Sequence, residues 1–172
     1  MKKITFILGL FLSATFSFAS DNPAIDYNDK IIIEQNKIGT SIKAFSQNPN
    51  DFTLDNIHQQ VKKSLVILDE MQPFNGNKKF LKSAKNLFKF YLSITQNEYK
   101  EMLDLIINKN NESSEVVNNK ITILGDKISK KEDPLDDKFQ TAQIAFAKEN
   151  NFTLTPNQEE KTKEERTQKL RN

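Results

Sequence analysis

The sequence contains no cysteine, and only four glycines and five prolines occur among its 172 residues. Without thiols the chain can form neither a disulfide nor a thiolate-ligated metal site. The scarcity of glycine and proline favours long helices and leaves little room for a glycine-rich phosphate-binding loop. The fold must therefore be held by the packing of apolar side chains.

Histidine is almost absent too, since His58 is the only one. A Ser-His-Asp mechanism would have to use this residue, and no nucleophile is placed for it. A di-metal bundle site needs two Glu-x-x-His pairs, whereas this chain offers one histidine with Asp55 three residues before it. Met71, Met102 and His58 could ligate haem, but both methionines lie on apolar stripes and are interpreted as core residues. We expect no enzyme activity, no catalytic residue, no cofactor and no metal, with His58 at the edge of the core.

The N-terminus has the layout of a cleavable export signal. Lys2 and Lys3 precede an apolar run over residues 4–18, which is shorter than the roughly 20 residues that span a bilayer. Small residues at Ser17 and Ala19 predict signal-peptidase cleavage after Ala19. The alternative is an uncleaved anchor or a buried N-terminal helix, and the helix-breaking residues 21–23 disfavour it. We therefore predict a bacterial protein that is exported and is either periplasmic or secreted.

The charge of the chain is balanced once this signal is removed. The chain has 25 basic and 23 acidic residues, and Lys2 and Lys3 of the signal account for the whole excess. Because nucleic acid is bound mainly through a net basic face, a nucleic-acid partner is not expected. The mature chain also contains no apolar run that predicts a membrane span.

Four mature segments carry apolar residues at spacings of three, four or seven, the period of an amphipathic helix. Their predicted starts lie near Asp26, Thr53, Phe80 and Ser113. Short turns join the segments, which predicts an all-α, up-down-up-down four-helix bundle. The predicted organisation is a signal peptide (1–19), an exposed leader (20–25), a helical bundle domain (26–154) and a charged C-terminal tail (155–172).

Two irregularities are predicted inside these helices. The apolar stripe of the third helix shifts at residues 95–97, which indicates a local kink. Pro134 interrupts the last helix, so that helix is either broken into two stacked helices or kinked as one.

Two stretches near the ends of the bundle resemble an uncharacterised family of bacterial exported helical surface proteins, many of them lipoproteins. The resemblance rests on Tyr27-Asn28-Asp29 with Ile31 and Gln35, and on Phe139, Ala142-Gln143, Phe146-Ala147 and Asn150. It implies a four-helix bundle with no assigned activity. This chain departs from the family in lacking a lipidation cysteine, which excludes a lipid anchor of that kind.

Gln35 and Gln143 are polar residues beside the apolar stripes of the first and last helices. Those helices are neighbours in an up-down bundle. We predict that the two glutamines can form a buried amide pair that fixes the register of the helices and is structural in role.

Three functions are consistent with these features. The first is a non-enzymatic module that binds an unknown envelope or extracellular protein. The second is a holdase-like periplasmic chaperone, which requires an exposed apolar face. The third is a small-ligand or metal carrier with a pocket inside the bundle.

Overall fold

The structure is a computed structural model that describes residues 22–108 and 113–154. The helices are α1 (Pro23–Gln47), α2 (Asp51–Glu70), α3 (Lys79–Gln96), α4 (Glu98–Ile107) and α5 (Ser114–Glu149). They form an all-α four-helix bundle in which α3 and α4 together make the third member, so the predicted fold class is confirmed. The signal peptide, the Ala19 cleavage site and the tail over 155–172 lie outside the described residues.

Helix α1 begins earlier than its apolar pattern indicates. The side chain of Asn22 accepts a hydrogen bond of 3.0 Å from the backbone N–H of Ala24, and Pro23 is the first helical residue. Asparagine at the N-cap followed by proline is a favourable helix start, since proline has no N–H to leave unpaired. Residues 23–25, predicted to be part of an exposed leader, therefore form the first turn, and Ala24 is buried.

A capping box starts α2. The Asn50 side chain accepts from the Thr53 N–H at 3.0 Å, and the Thr53 hydroxyl oxygen accepts from the Asn50 N–H at 3.2 Å. The two contacts satisfy two backbone donors that the first helical turn leaves unpaired. The apolar spacing predicts a start near Thr53, which is instead the third residue of the helix and the partner of the cap.

A tight turn separates α2 from α3. Asn75 and Gly76 have positive φ angles of 47° and 79°, and the Asn77 N–H donates to the Phe74 carbonyl at 2.8 Å. Asn-Gly is the sequence favoured where two successive residues adopt the left-handed backbone conformation. It is one of the short turns that the sequence predicts between the helical segments.

The third member of the bundle is interrupted at Asn97. The backbone there has φ −119° and ψ −92°, outside the helical region, and α4 begins at the next residue. The break changes the rotational position of α4 about the helix axis relative to α3. As a result, the apolar residues on both sides of the break face the core. The shift predicted at residues 95–97 is this break.

Helix α5 continues through Pro134 as a single 36-residue helix. Proline removes one i→i−4 hydrogen bond, and here that loss does not end the helix. Of the two arrangements predicted at Pro134, the structure has one helix.

The core lies between helices that are neighbours in sequence. Helix α1 packs against α2, α2 against α3, and α3 with α4 against α5, while α1 and α5 meet less extensively. An aromatic cluster closes the end at which α1 begins and α5 ends, with ring centroids 5.2 Å apart for Phe80 and Phe146 and 5.6 Å apart for Phe80 and Phe139. Among the helices described, none combines the length and the apolar character that crossing a membrane requires.

Candidate functional site

A hydrogen bond between side-chain amides links α1 to α5, but the residue on α1 differs from the predicted Gln35. The Gln143 side-chain N–H donates to Asn28 Oδ1 at 2.8 Å. Among the described residues, the side-chain oxygens of Gln35 and Gln143 are both buried without a hydrogen-bond partner, so these two glutamines are not bonded to each other. Gln35 lies two turns beyond Asn28, about 10.5 Å along the helix. The predicted Gln35–Gln143 pair is therefore corrected to Asn28–Gln143, a contact suited to fixing the register of the two helices.

Two buried carboxylates are paired with lysines. Glu34 on α1 accepts from the Ser64 hydroxyl at 2.8 Å and forms an ion pair of 2.6 Å with Lys37. The Lys37 ammonium balances the negative charge of Glu34, as a buried charge requires.

The second paired carboxylate is Glu98, which joins α4 to α5. Its Oε1 lies 3.0 Å from the Lys131 ammonium and 3.2 Å from that of Lys127. Burial on its own raises the pKa of this carboxyl, but the hydrogen bonds from the two lysines outweigh it and the pKa is lowered. Glu98 therefore stays ionised and stabilises the contact between the helices.

A different environment surrounds Glu132 and Asp136, which lie one turn apart on the inner face of α5 and are buried. Their hydrogen-bond donors are neutral: the Tyr91 hydroxyl donates to Glu132 Oε1 at 2.9 Å, and the Gln140 amide donates to Asp136 Oδ2 at 2.7 Å. Within the described part of the chain, neither carboxylate forms an ion pair with a lysine or arginine. Two adjacent acids are thus buried without a compensating cation.

This burial changes the acidity of both groups. Loss of water, together with nearby acids including Asp133, raises the pKa of Glu132 to about 7 and that of Asp136 to about 6. The Tyr91 hydroxyl opposes the shift of Glu132 only in part. Carboxyl groups that titrate near neutral pH inside a bundle can take up and release protons, a property found at many functional sites and also in structural networks.

This acid pair is not predicted from the sequence, because residues 130–133 have the composition of a solvated charge run. A signal was present, since Glu132 and Asp136 continue the helical spacing that joins Ile128 to Phe139 and Gln143. Extending the core stripe through the polar residues would have predicted both as buried.

His58 and the two methionines have structural surroundings. The Thr95 hydroxyl donates to the Leu92 carbonyl at 2.7 Å, so its oxygen accepts from His58 Nδ1 at 3.0 Å. The half-buried histidine thereby links α2 to α3, while Met71 and Met102 are buried in the core. Across residues 22–108 and 113–154, no group of three or more histidine, aspartate or glutamate side chains could hold a metal ion.

The surface carries large apolar side chains that no neighbouring helix covers. Phe52 on α2 is 73% exposed, and Val66 on the same helix is also exposed. The others lie at the end of α4 and along α5, and they are Ile107, Val116, Ile123 and Ile144. Contiguous exposed apolar patches mark surfaces that bind other proteins, whereas single exposed apolar side chains are common on any protein.

Comparison with known proteins gives no relative from which a function could be transferred. The chain matches no protein family, no curated protein and no solved structure.

Proposed function

We propose that this protein is an exported bacterial helical bundle that binds another protein of the cell envelope or the extracellular space, without enzymatic activity. The observation that carries the proposal is Phe52, 73% exposed on the outer side of α2. A large aromatic side chain left in water contributes nothing to folding, whereas it can supply much of the energy of a protein interface.

The surroundings of Phe52 suit a specific interface. Val66 lies 14 residues further along α2, about 21 Å away, on nearly the same face. Between them, Asp55, Gln59 and Lys62 are exposed and polar. Apolar anchors surrounded by polar and charged side chains are typical of interfaces that select one partner.

The same spacing argues against the chaperone hypothesis. A holdase that binds many unfolded chains needs a continuous apolar surface, because its clients share only hydrophobicity. On α2 the exposed apolar residues are separated by charged ones, which favours a defined partner.

Photo-crosslinking at Phe52 tests this proposal. Benzoylphenylalanine, close to phenylalanine in shape, replaces Phe52 in one variant and the exposed Lys89 on α3 in a control variant. Both are irradiated in the native cells, and the products are identified by mass spectrometry. We expect one recurrent envelope or extracellular protein attached at position 52 and absent at position 89. Equal products at both positions, no product, or a broad set of unfolded exported proteins would overturn the proposal, and the last result would support a holdase.

Export is tested separately. We expect the protein outside the cytoplasm with a mature N-terminus at Ser20, as measured by cell fractionation and intact mass. A full-length protein in the cytoplasm would refute export, while the crosslinking result would still report on binding by the bundle.

A further inference from the structure

The outer face of α5 carries four residues at intervals of seven. On a straight helix such residues drift by only about 20° per step, so all four lie within about 60° of one another. They are exposed, and in chain order they are Ile123, Lys130, Asp137 and Ile144.

The two charged members of this face have no partner within the described part of the chain. Lys130 and Asp137 are about 10.5 Å apart along the helix, too far for an ion pair with each other. Lys127 and Lys131, their neighbours, are instead paired with Glu98. Lys130 and Asp137 are thus available to an external partner.

The order of these residues is self-complementary. Along one copy the four residues are ordered Ile-Lys-Asp-Ile. In an antiparallel second copy, the residues that face them, taken in the same direction, are ordered Ile-Asp-Lys-Ile. With a two-fold axis between residues 133 and 134, Ile123 faces Ile144 of the second copy, and Lys130 faces Asp137 of the second copy. The same contacts repeat on the other side of the axis, as in every isologous two-fold interface.

We infer that the outer face of α5, defined by Ile123, Lys130, Asp137 and Ile144, binds the same face of a second copy of this chain in an antiparallel dimer. Two isoleucine pairs lie at the ends of the contact, and two lysine–aspartate pairs lie towards its centre. Polar side chains surround these few apolar contacts, so the dimer is weak and depends on protein concentration. The Phe52 face on α2 does not take part and remains open to another partner.

Among the four residues that define this face, the charges favour this alignment over two alternatives. Parallel, in-register pairing would place Lys130 against Lys130 and Asp137 against Asp137. An antiparallel pairing centred on residue 130 would bring the two Lys130 side chains together and place Ile123 against Asp137. Like charges in contact and a carboxylate against an apolar side chain both disfavour association.

A charge-swap series tests the ion pairs. Lys130→Asp alone and Asp137→Lys alone each create like-charge contacts, whereas the double variant restores opposite charges in reversed order. By sedimentation equilibrium we expect the dimer dissociation constant to rise about tenfold or more in each single variant and to return to within about threefold in the double variant. Lys89→Asp on α3 changes the net charge by the same amount as Lys130→Asp and should leave the constant unchanged.

Cysteine crosslinking tests the geometry, because any introduced thiol is the only one in the chain. An equal mixture of Ile123→Cys and Ile144→Cys proteins is treated with a short bismaleimide. We expect a covalent dimer in the mixture and none with either variant alone, because a cysteine and its copy in the dimer are then about 31 Å apart. These substitutions are at exposed sites, and circular dichroism checks that each variant is folded.

Three results would overturn the inference. The first is a monomer at every concentration measured. The second is a covalent dimer from the Ile123→Cys protein alone, which indicates parallel pairing. The third is a double charge variant that fails to recover the dimer.

Discussion

Replacing Glu132 by glutamine removes a buried charge from α5 with little change in shape. The amide keeps an oxygen that can accept the Tyr91 hydroxyl, which lies 2.9 Å from the carboxylate in the native protein. The substitution therefore separates the effect of charge from the effect of packing.

The sign of the effect follows from the raised pKa. The pKa of Glu132 is about 7 in the folded protein, against an ordinary value of 4.5. Between these two pH values the folded state holds a proton that the unfolded state releases, so the contribution of Glu132 to stability is lost as pH rises. Asp136, with a pKa raised to about 6, contributes with the same sign over a lower range. Below about pH 4 neither group costs stability.

The magnitude can be worked from the same shift. At about 1.4 kcal/mol per pKa unit, ionising Glu132 in the folded protein costs about 3 kcal/mol. The glutamine variant avoids this cost but adds an amide N–H2 group that needs an acceptor, a penalty of about 1–2 kcal/mol. We expect the variant to be more stable than the native protein by about 1–2 kcal/mol at pH 8 and less stable by a similar amount at pH 4.

Urea unfolding followed by circular dichroism at pH 4 and pH 8 measures both differences. The amide penalty does not depend on pH, so the change between the two pH values isolates the carboxylate. Glu98→Gln is the matched control, because the lysines beside Glu98 lower its pKa; its substitution should destabilise at pH 8 and have less effect at pH 4. A Glu132→Gln effect that is the same at both pH values would show that Glu132 is not protonated in the folded protein at neutral pH.

The remaining predictions concern the packing and the turns, and urea unfolding checks each of them. Phe80→Ala should lower the free energy of unfolding by about 3–5 kcal/mol, since this ring is fully buried, whereas Phe52→Ala on the surface should change it by less than about 0.5 kcal/mol. Asn50→Ala breaks the capping box of α2 and should cost about 1 kcal/mol. Gly76→Ala should also cost about 1 kcal/mol, because its φ of 79° is unfavourable with a Cβ atom. Equal effects at Phe80 and Phe52, or no loss at Asn50 or Gly76, would contradict the packing and backbone geometry described for those sites.

The fold could be predicted because its determinants are local. Apolar spacing identifies four helical members, and even the phase shift at residues 95–97 corresponds to the break at Asn97. The errors lie at helix starts, where the cap decides the boundary. Asn22 and Asn50 cap α1 and α2 before the first residue of each apolar stripe, so a prediction based on apolar spacing begins both helices too late.

The interior polar contacts could be predicted only in part, because they depend on the register between helices. Sequence spacing placed Gln35 and Gln143 on neighbouring helices, but the relative height of α1 and α5 decides that Asn28 is the residue within reach of Gln143. Glu132 was missed for a related reason: a charged residue is assigned to the surface unless the path of the whole helix is followed. The choice of Asn28 is not encoded in a short window of sequence, whereas the burial of Glu132 emerges once the core stripe is followed from Ile128 to Gln143.

Several unusual features of α5 lie close to the middle of the helix. Within the part of the chain that the structure describes, Glu132 and Asp136 are buried there without a paired cation, and Lys130 and Asp137 are exposed there without an ion pair. Pro134 removes a backbone hydrogen bond in the same region. Towards both ends the helix packs residues such as Ile121 and Phe146 inward, although Ile123 and Ile144 are exposed there and Gln143 is buried. In natural sequences, local choices that oppose stability persist mainly where function requires them. The centre of α5 is therefore where substitutions should separate folding from function most clearly. Substitutions of the buried Glu132 and Asp136 should alter the pH dependence of stability. Substitutions of the exposed Lys130 and Asp137 should alter self-association.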